Sequence, residues 1–591
     1  MHILGISCYY HDAAAVLLSN GELIAAAEEE RFSRKKHDFG FPGKAIRFCL
    51  NQAGISAQDL DYVVFYEKPF EKFERILMTT LQTYPKSWKV FRESMITWLV
   101  DKLWIRHHIE HELGVSREKV LFSQHHTAHA ASAFLASPFE EAAILTVDGV
   151  GEWATATYGV GKGTDIKLLK EIRFPHSIGL LYSAFTAFLG FQVNEGEYKV
   201  MGMAPYGEPK YVDKVWKLIR QFDDGSFCLD MDYFCFHQSI TRTYSRKFEA
   251  LFGAPRPSEM LFFTAATEYP SYFGEKPGNY DELCRLNQHY ADIAASIQKV
   301  TEEVLLKMAR CTRQQTGLTD LCIAGGVGLN SVANGRILQE SGFERLYIQP
   351  AAGDGGGALG AALHVCHTVL GHPRKLVMKH AYWGQAYGNG EIEDFLNQDG
   401  ISSEIIPDQD ALLDRTVAAL TAGKVIGWYQ GRFEWGPRAL GNRSILADPR
   451  RAEMKDVVNT KIKFREPYRP FAPSVLSDKA EQYFDLPNAA AQDPARFMLL
   501  VTPVRPEKQD VIPAITHVDG TGRLQTVFED TNPLYYRLIR RFGETTGVPV
   551  VLNTSFNLRG EPIVTTPADA YSTFKRSEMD LLVMGNHLVS K

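Results

Sequence analysis

Short β-branched or apolar runs recur along the 591-residue chain, and most of them end in Gly, Asp or Asn. Ile3–Ser7, Tyr62–Tyr66, Ala143–Val147, Leu321–Ala324, Leu346–Gln349, Val425–Tyr429, Val548–Leu552 and Leu581–Met584 read as buried strands. Helical patterns lie between several of them, such as Asn287–Thr316 with its stripe of Ile293, Ile297, Val300, Val304 and Leu305. Strands that alternate with helices can bury both kinds of apolar face only in α/β layers. The stretch Phe70–Leu113 breaks this rhythm and reads as a helical insertion. Its Trp88, Phe91, Trp98 and Trp104 could form a wall of a binding site, but inward packing is expected, as aromatic stripes at helical spacing usually face the core. A Gly/Pro break at Leu370-Gly371-His372-Pro373-Arg374 divides the chain into a larger domain, 1–372, and a smaller one, 373–591.

Composition narrows the function. With 64 Lys and Arg against 70 Asp and Glu, the net charge of −6 argues against a protein that holds nucleic acid by its phosphates. The 8 cysteines are scattered without a CxxC pair, which excludes a zinc ribbon or a thioredoxin-type motif and fits a reducing compartment. The N-terminus lacks a basic region before its apolar run, and no window approaches the ~18 apolar residues of a membrane span. The expectation is a cytoplasmic protein with neither a nucleic acid nor a membrane as its partner.

The strongest local signal is His125-His126-Thr127-Ala128-His129-Ala130-Ala131-Ser132. On a helix, His125 and His129 project from one face and can share a metal, and the alanines leave room for it. Asp148 ends the run Ala143–Val147 just before Gly149-Val150-Gly151, a position where metal or phosphate chemistry is often held. His107-His108-Ile109-Glu110-His111 has the same spacing, but its charged setting reads as a solvated face. The glycines of Gly325-Gly326-Val327-Gly328-Leu329-Asn330 would let a nucleotide approach the backbone closely. Gly355, Gly357 and Gly360 formally satisfy GxGxxG, but Lys375–Lys379 holds none of the acid a dinucleotide site needs. Asp354 reads instead as an oxygen ligand beside a nucleotide. In the second domain Arg432, Arg438, Arg443, Lys461, Lys463, Arg465 and Arg469 stand among Gly and Pro, followed by Arg523 and by Asn553-Thr554-Ser555-Phe556-Asn557. Rigid loops displaying several Arg suit phosphate or carboxylate oxygens. No Walker A, GxSxG or HExxH is present.

Taken together these stretches resemble the O-carbamoyltransferases of the NodU/CmcH type over nearly the whole chain. The resemblance runs from Tyr10-His11-Asp12-Ala13-Ala14 and Glu28-Glu29-Glu30-Arg31-Phe32-Ser33-Arg34-Lys35-Lys36-His37, through HHTAHAAS, Asn194–Gly202 and GGVGLN, to GPRALGNRS, YRPFAPS and NTSFN. It implies an actin-like ATPase N-terminal domain of two ribonuclease H-like halves and a C-terminal YrdC-like α/β domain. The C-terminal domain would make carbamoyl adenylate from carbamoyl phosphate and ATP, with magnesium accompanying the ATP. The N-terminal domain would pass the carbamoyl group to a hydroxyl of a small natural-product or sugar acceptor. By the same resemblance His125, His129, Asp148 and Asp354 match the ligands of a divalent metal, an iron(II) site. Gly149, Gly179, Gly326 and Asn330 match positions that hold the adenylate, His11 one near the transferring carbonyl, and Lys36 one near the acceptor. Arg438, Arg469, Arg523 and Ser555 match the carbamoyl phosphate and nucleotide pocket, and a homodimer would be in keeping with the family. The general base is open, with His126 as one candidate and a packing role as its alternative.

A carbamoyl adenylate is a mixed anhydride, so a site that excludes water would protect it. Four other functions compete with this one. A tRNA threonylcarbamoyl-type transferase suits the folds but not the net charge, and a hydrogenase-maturation carbamoyltransferase would need cysteine pairs. A non-catalytic nucleotide- and metal-binding scaffold would have no need of the whole ligand and Arg set. A sugar kinase would not carry the basic second domain.

Overall fold

The computed structural model describes residues 1–591 apart from 101, 268, 271, 272 and 467, and apart from the side chains of 100 and 461. The side chain of Lys461, counted above with the basic stretch, therefore lies outside what is described. The chain forms two compact units: Met1–Ala25 with Phe39–Val377, and Ala26–Asp38 with Met378–Lys591.

The first unit holds two five-stranded sheets. In chain order the first is β1 (His2–Ser7), β2 (Ala14–Ser19), β3 (Glu22–Glu28), β4 (Tyr62–Phe65) and β5 (Val120–Phe122), arranged 3-2-1-4-5. The second takes β6 (Glu141–Val147), β7 (Ala154–Lys162) and β8 (Asp165–Arg173). After the small hairpin of β9 (Ile219–Gln221) and β10 (Phe227–Leu229), it adds β11 (Asp320–Ala324) and β12 (Arg345–Ile348), in the order 12-11-6-7-8. In each sheet the first strand pairs antiparallel with the next in sequence and parallel with the fourth, which is parallel to the fifth. The same topology twice over is that of two ribonuclease H-like halves, the actin-like fold. The central strands are buried on both faces, which is why Ile3–Ser7 and Ala143–Val147 read as unbroken apolar runs.

Two helices cross between these halves. Helix His125–Phe134 follows β5 yet packs on β6 and β11, whereas Asp354–Leu363 follows β12 yet packs on β1 and β2; the two helices also pack on each other. The small residues of Asp354–Leu363 serve that contact. A Cβ on Gly360 would lie 1.7 Å from the Ala128 carbonyl oxygen, and one on Gly357 would lie 2.8 Å from Tyr66. Helix packing thus accounts for the GxGxxG pattern.

The predicted stripe on Asn287–Thr316 belongs to a longer helix, Tyr280–Thr316, and its five apolar residues are buried. The insertion is helical, with Pro69–Gln82, Trp88–Val100 and Ile105–Leu113. Its aromatics depart from the expectation of inward packing: Trp98 is 5% exposed, but Trp88 and Trp104 are 54% and 57% exposed. Helix Trp88–Val100 packs on Pro69–Gln82 and on the short turn Lys102–Trp104, and Trp88 lies on its exposed side.

The second unit is built on a nine-stranded mixed sheet. Its strands are β13 (Glu404–Ile405), β14 (Ile426–Tyr429), β15 (Arg443–Ala447), β16 (Ala472–Leu476), β17 (Leu500–Pro503), β18 (Thr521–Val527), β19 (Val550–Ser555), β20 (Leu581–Met584) and β21 (His587–Ser590), arranged 13-21-20-14-15-19-16-18-17. Trp428, Leu446 and Val551 of the sheet meet Leu413 and Leu538, Ile539 and Phe542 of helices Gln409–Thr421 and Pro533–Thr546 in one core. No helix among the described residues is long and apolar enough to cross a membrane.

Candidate active site

In the first unit the exchanged helices bring His125, His129 and Asp354 to the end of β6, where Asp148 stands. One ligand atom from each of the four falls within 4.8 Å of all the others. His125 Nε2 lies 2.9 Å from Asp148 Oδ2 and 3.1 Å from His129 Nε2. Asp354 Oδ1 is 3.8 Å from His125 Nε2 and 3.7 Å from His129 Nε2. Asp354 opens its helix, so the N-terminal dipole favours its charge. Burial works against the charge on Asp148, but hydrogen bonding to His125 and His129 holds its carboxyl well below the usual range. For Asp354 the same burial is outweighed by the positive charge of His11 and the nearby His129. His129, which burial alone would make acidic, is raised to about 9 by the facing carboxylates.

These residues suit a divalent cation. Asp354 Oδ1 is buried and receives no hydrogen bond among the described residues, and the two Nε2 atoms turn toward each other. Two imidazoles and two carboxylates form a donor set typical of iron(II), manganese or zinc.

Further groups lock the ligands in place. Glu152 accepts from the His125 backbone N–H at 2.9 Å, and Tyr66 donates to Asp354 Oδ2 at 3.2 Å. Lys72 lies 2.5 Å from Glu67, which is 4.0 Å from His125 Nδ1. The sequence reading missed Tyr66, Glu67, Lys72 and Glu152. The first two stand where the predicted strand Tyr62–Tyr66 ends, which was the available signal.

The glycines that the resemblance matched to adenylate positions gather around Asp148. The Gly326 N–H donates to Asp148 Oδ1 at 2.9 Å, and a Cβ on Gly179 would sit 2.7 Å from the Asp148 carbonyl oxygen. Ser177 caps the helix Ile178–Phe188, accepting from Leu180 N–H at 3.0 Å and donating to the Gly149 carbonyl at 2.7 Å. Asn330 caps the helix Ser331–Glu340 through Ala333 N–H and exchanges hydrogen bonds with Gln298. His11 reaches the edge of the cluster, its Nε2 3.8 Å from Asp354 Oδ2 and its Nδ1 3.0 Å from Asp12. Burial pulls its pKa down, but Asp354 and Asp12 raise it to about 10.

His126 is turned away from the ligands. Its Nε2 donates to the Ala154 carbonyl at 2.9 Å, which leaves Nδ1 to accept from Thr146 Oγ1 at 2.7 Å. Burial, with His125 and His129 beside it, lowers its pKa to about 3. His107 and His111 are exposed, as a solvated face should be, and join no ligand cluster among the described residues.

The second unit sorts the basic residues that the sequence left as one stretch. Arg432 is spent on the Gly384 and Trp383 carbonyls, and fully buried Arg443 on those of Gln430 and Gly431. Arg438, Arg465 and Arg469 instead surround Arg523; burial and these three neighbours push its guanidinium pKa down. Lys463 belongs to the same cluster. Burial, then Arg465, Arg469 and Lys36, hold its pKa well below that of a free lysine. Lys463 Nζ contacts the Ser555 carbonyl at 2.6 Å and Asn557 Oδ1 at 2.6 Å, which pins the end of β19 to the cluster. Lys36 arrives on the segment Ala26–Asp38. There Glu28 accepts from Gly436 N–H at 2.7 Å, Arg31 donates to the Gly436 carbonyl at 2.6 Å, and Arg34 donates to the Ile563 carbonyl at 2.7 Å. The acidic-basic motif at 28–36 and the loop Gly436–Ser444 are thereby two halves of one structure.

Comparison with known proteins gives the same reading across the chain. Residues 2–363 match the carbamoyltransferase N-terminus family and residues 417–591 the carbamoyltransferase C-terminus family. An uncharacterized protein of Synechocystis sp. is 48% identical over all of this chain and 97% of its own length. Nodulation protein NolNO of Sinorhizobium fredii is 38% identical over 99% of this chain and 79% of its own. The 3'-hydroxymethylcephem-O-carbamoyltransferase of Streptomyces clavuligerus is 35% identical over 50% of this chain and 53% of its own. With both halves matched in order, the chain belongs to the carbamoyltransferase family and is an enzyme that transfers carbamoyl groups.

Proposed function

We propose that the enzyme is an ATP-dependent O-carbamoyltransferase acting in two steps. In the second unit water cleaves the O–P bond of carbamoyl phosphate to give carbamate and phosphate; a carbamate oxygen then attacks the α-phosphorus of ATP, forming carbamoyl adenylate as pyrophosphate leaves. In the first unit an acceptor hydroxyl attacks the carbamoyl carbon, the carbonyl–phosphate bond breaks, and AMP and the hydroxyl proton leave.

The observation that carries this reading is the cation cluster of Lys36, Arg438, Lys463, Arg465, Arg469 and Arg523. Like charges crowded into partly buried space repel one another; Glu466, 3.5 Å from Arg469, offsets part of that cost, and a polyanionic ligand would offset more. Carbamoyl phosphate together with the triphosphate of ATP supplies such charge, and guanidinium groups bind it in bidentate fashion. In the first unit, His11 is placed to donate to the carbamoyl oxygen as charge develops on it. Asp148, gripped by Gly326 N–H and the two imidazoles, and Asp354, gripped by Tyr66, would hold a divalent cation. When bound, that cation offsets charge on the leaving phosphate. His126, with both ring nitrogens engaged, positions the ligand helix rather than taking the acceptor's proton.

The test follows phosphorus. With ATP, magnesium and carbamoyl phosphate, pyrophosphate should appear only when carbamoyl phosphate is present. Release of ADP in place of pyrophosphate and AMP would overturn the reading in favour of a kinase.

A further inference from the structure

Arg75, on the first helix of the insertion, is 7% exposed, yet it donates no hydrogen bond and makes no ion pair among the described residues. Its Nε–H is buried without an acceptor, which is costly, and native structures rarely keep such a donor unanswered. Its neighbours do not supply that partner. Its plane lies over the ring of Phe174, 4.9 Å from the centroid, which offers a flat support and no oxygen. Tyr10, Glu67 and Glu152 are the groups near enough to act on its charge. Glu67 is committed to Lys72, and Glu152 to the backbone N–H groups of His125 and Lys68. Tyr10 ties Arg75 to the reacting centre, because its phenol feels Asp354, Asp148, Arg75 and Glu67 together. Lys72 lies over the Tyr10 ring, 4.6 Å from its centroid, and completes the wall.

We propose that Arg75, supported by Phe174 and flanked by Tyr10, is an oxyanion subsite beside the transfer centre, and that the acceptor carries a carboxylate or phosphate near the hydroxyl that is carbamoylated. The planar fork of donors matches the paired oxygens of either group. The insertion is then a specificity element, because its first helix delivers the group that selects acceptors by charge. This rests on the reading that the first unit is the transfer site.

The test uses full-length enzyme and equilibrium dialysis with D-glucuronate, D-glucose 6-phosphate and D-glucose, which share hydroxyls and differ in charge. Wild type should bind at least one anionic sugar roughly tenfold or more tightly than glucose, the size of effect a charge-assisted hydrogen bond gives. Which of the two anions is preferred separates carboxylate from phosphate. The preference should vanish in Arg75→Gln, persist in part in Arg75→Lys, and survive Arg469→Ala, which disables the cation cluster of the second unit. Equal binding of charged and neutral sugars, no saturable binding of either anion, or a preference that outlives Arg75→Gln would each overturn the proposal. Loss of the preference in Arg469→Ala with retention in Arg75→Gln would assign the anion to the second unit and overturn it as well. Pyrophosphate release by the wild type, measured alongside, shows separately whether the two-step reading itself has failed.

Discussion

Gly360 decides how closely the two ligand-bearing helices meet. Replacing it with Ala forces a methyl to within 1.7 Å of the Ala128 carbonyl oxygen, so the helices must part. Gly360→Ala should cost about 1–3 kcal/mol, the usual price of overpacking, and lower metal content as His125 and His129 draw away from Asp354. Thermal unfolding and elemental analysis of the same preparation check both effects. His129→Ala removes one imidazole without disturbing that packing, so it should fold normally and lose nearly all bound metal, as elemental analysis after dialysis would show. The His pair was legible in the sequence because its members are four residues apart on one helix, where spacing alone sets geometry. Tyr66, Glu152 and Arg75 were not, because their roles arise from elements that meet only in the folded chain. Arg438 and Arg443 looked alike for the same reason: Arg443 is buried against backbone carbonyls, whereas Arg438 lies near Arg523.

Elements carry these residues into place through a few polar attachments. Ser177 fixes the start of Ile178–Phe188 and the Gly149 carbonyl with one hydroxyl. Ser177→Ala should cost about 1 kcal/mol of stability, the value of a lost N-cap, and should weaken adenylate binding through Gly149 and Gly179. Calorimetry with AMP would measure the second effect. The segment Ala26–Asp38 depends on Arg31, which is 2% exposed and holds Glu28 and the Gly436 carbonyl. Arg31→Ala strands a buried carboxylate, so a loss of about 3–5 kcal/mol is expected by denaturant unfolding. The strand runs were readable where both faces are buried, as in β1 and β6. Strands such as β8, with its largely exposed pattern, gave no such run. The insertion's helices were readable from their period, but period does not say whether a neighbour covers the apolar face, and Trp88 and Trp104 lie uncovered.

At the scale of the molecule, each unit gathers its own polar cluster: four side chains that could hold a metal, with His11 beside them, in the first, and a group of cations in the second. These two clusters are proposed to perform separate half-reactions joined by carbamoyl adenylate. Mass-spectrometric detection of that adenylate without acceptor, in wild type, Arg469→Ala and His129→Ala, tests it most directly. Carbamoyl adenylate, or AMP from its hydrolysis, should form in wild type and in His129→Ala and disappear in Arg469→Ala. Its absence from wild type, or its loss in His129→Ala with retention in Arg469→Ala, would contradict the division of labour.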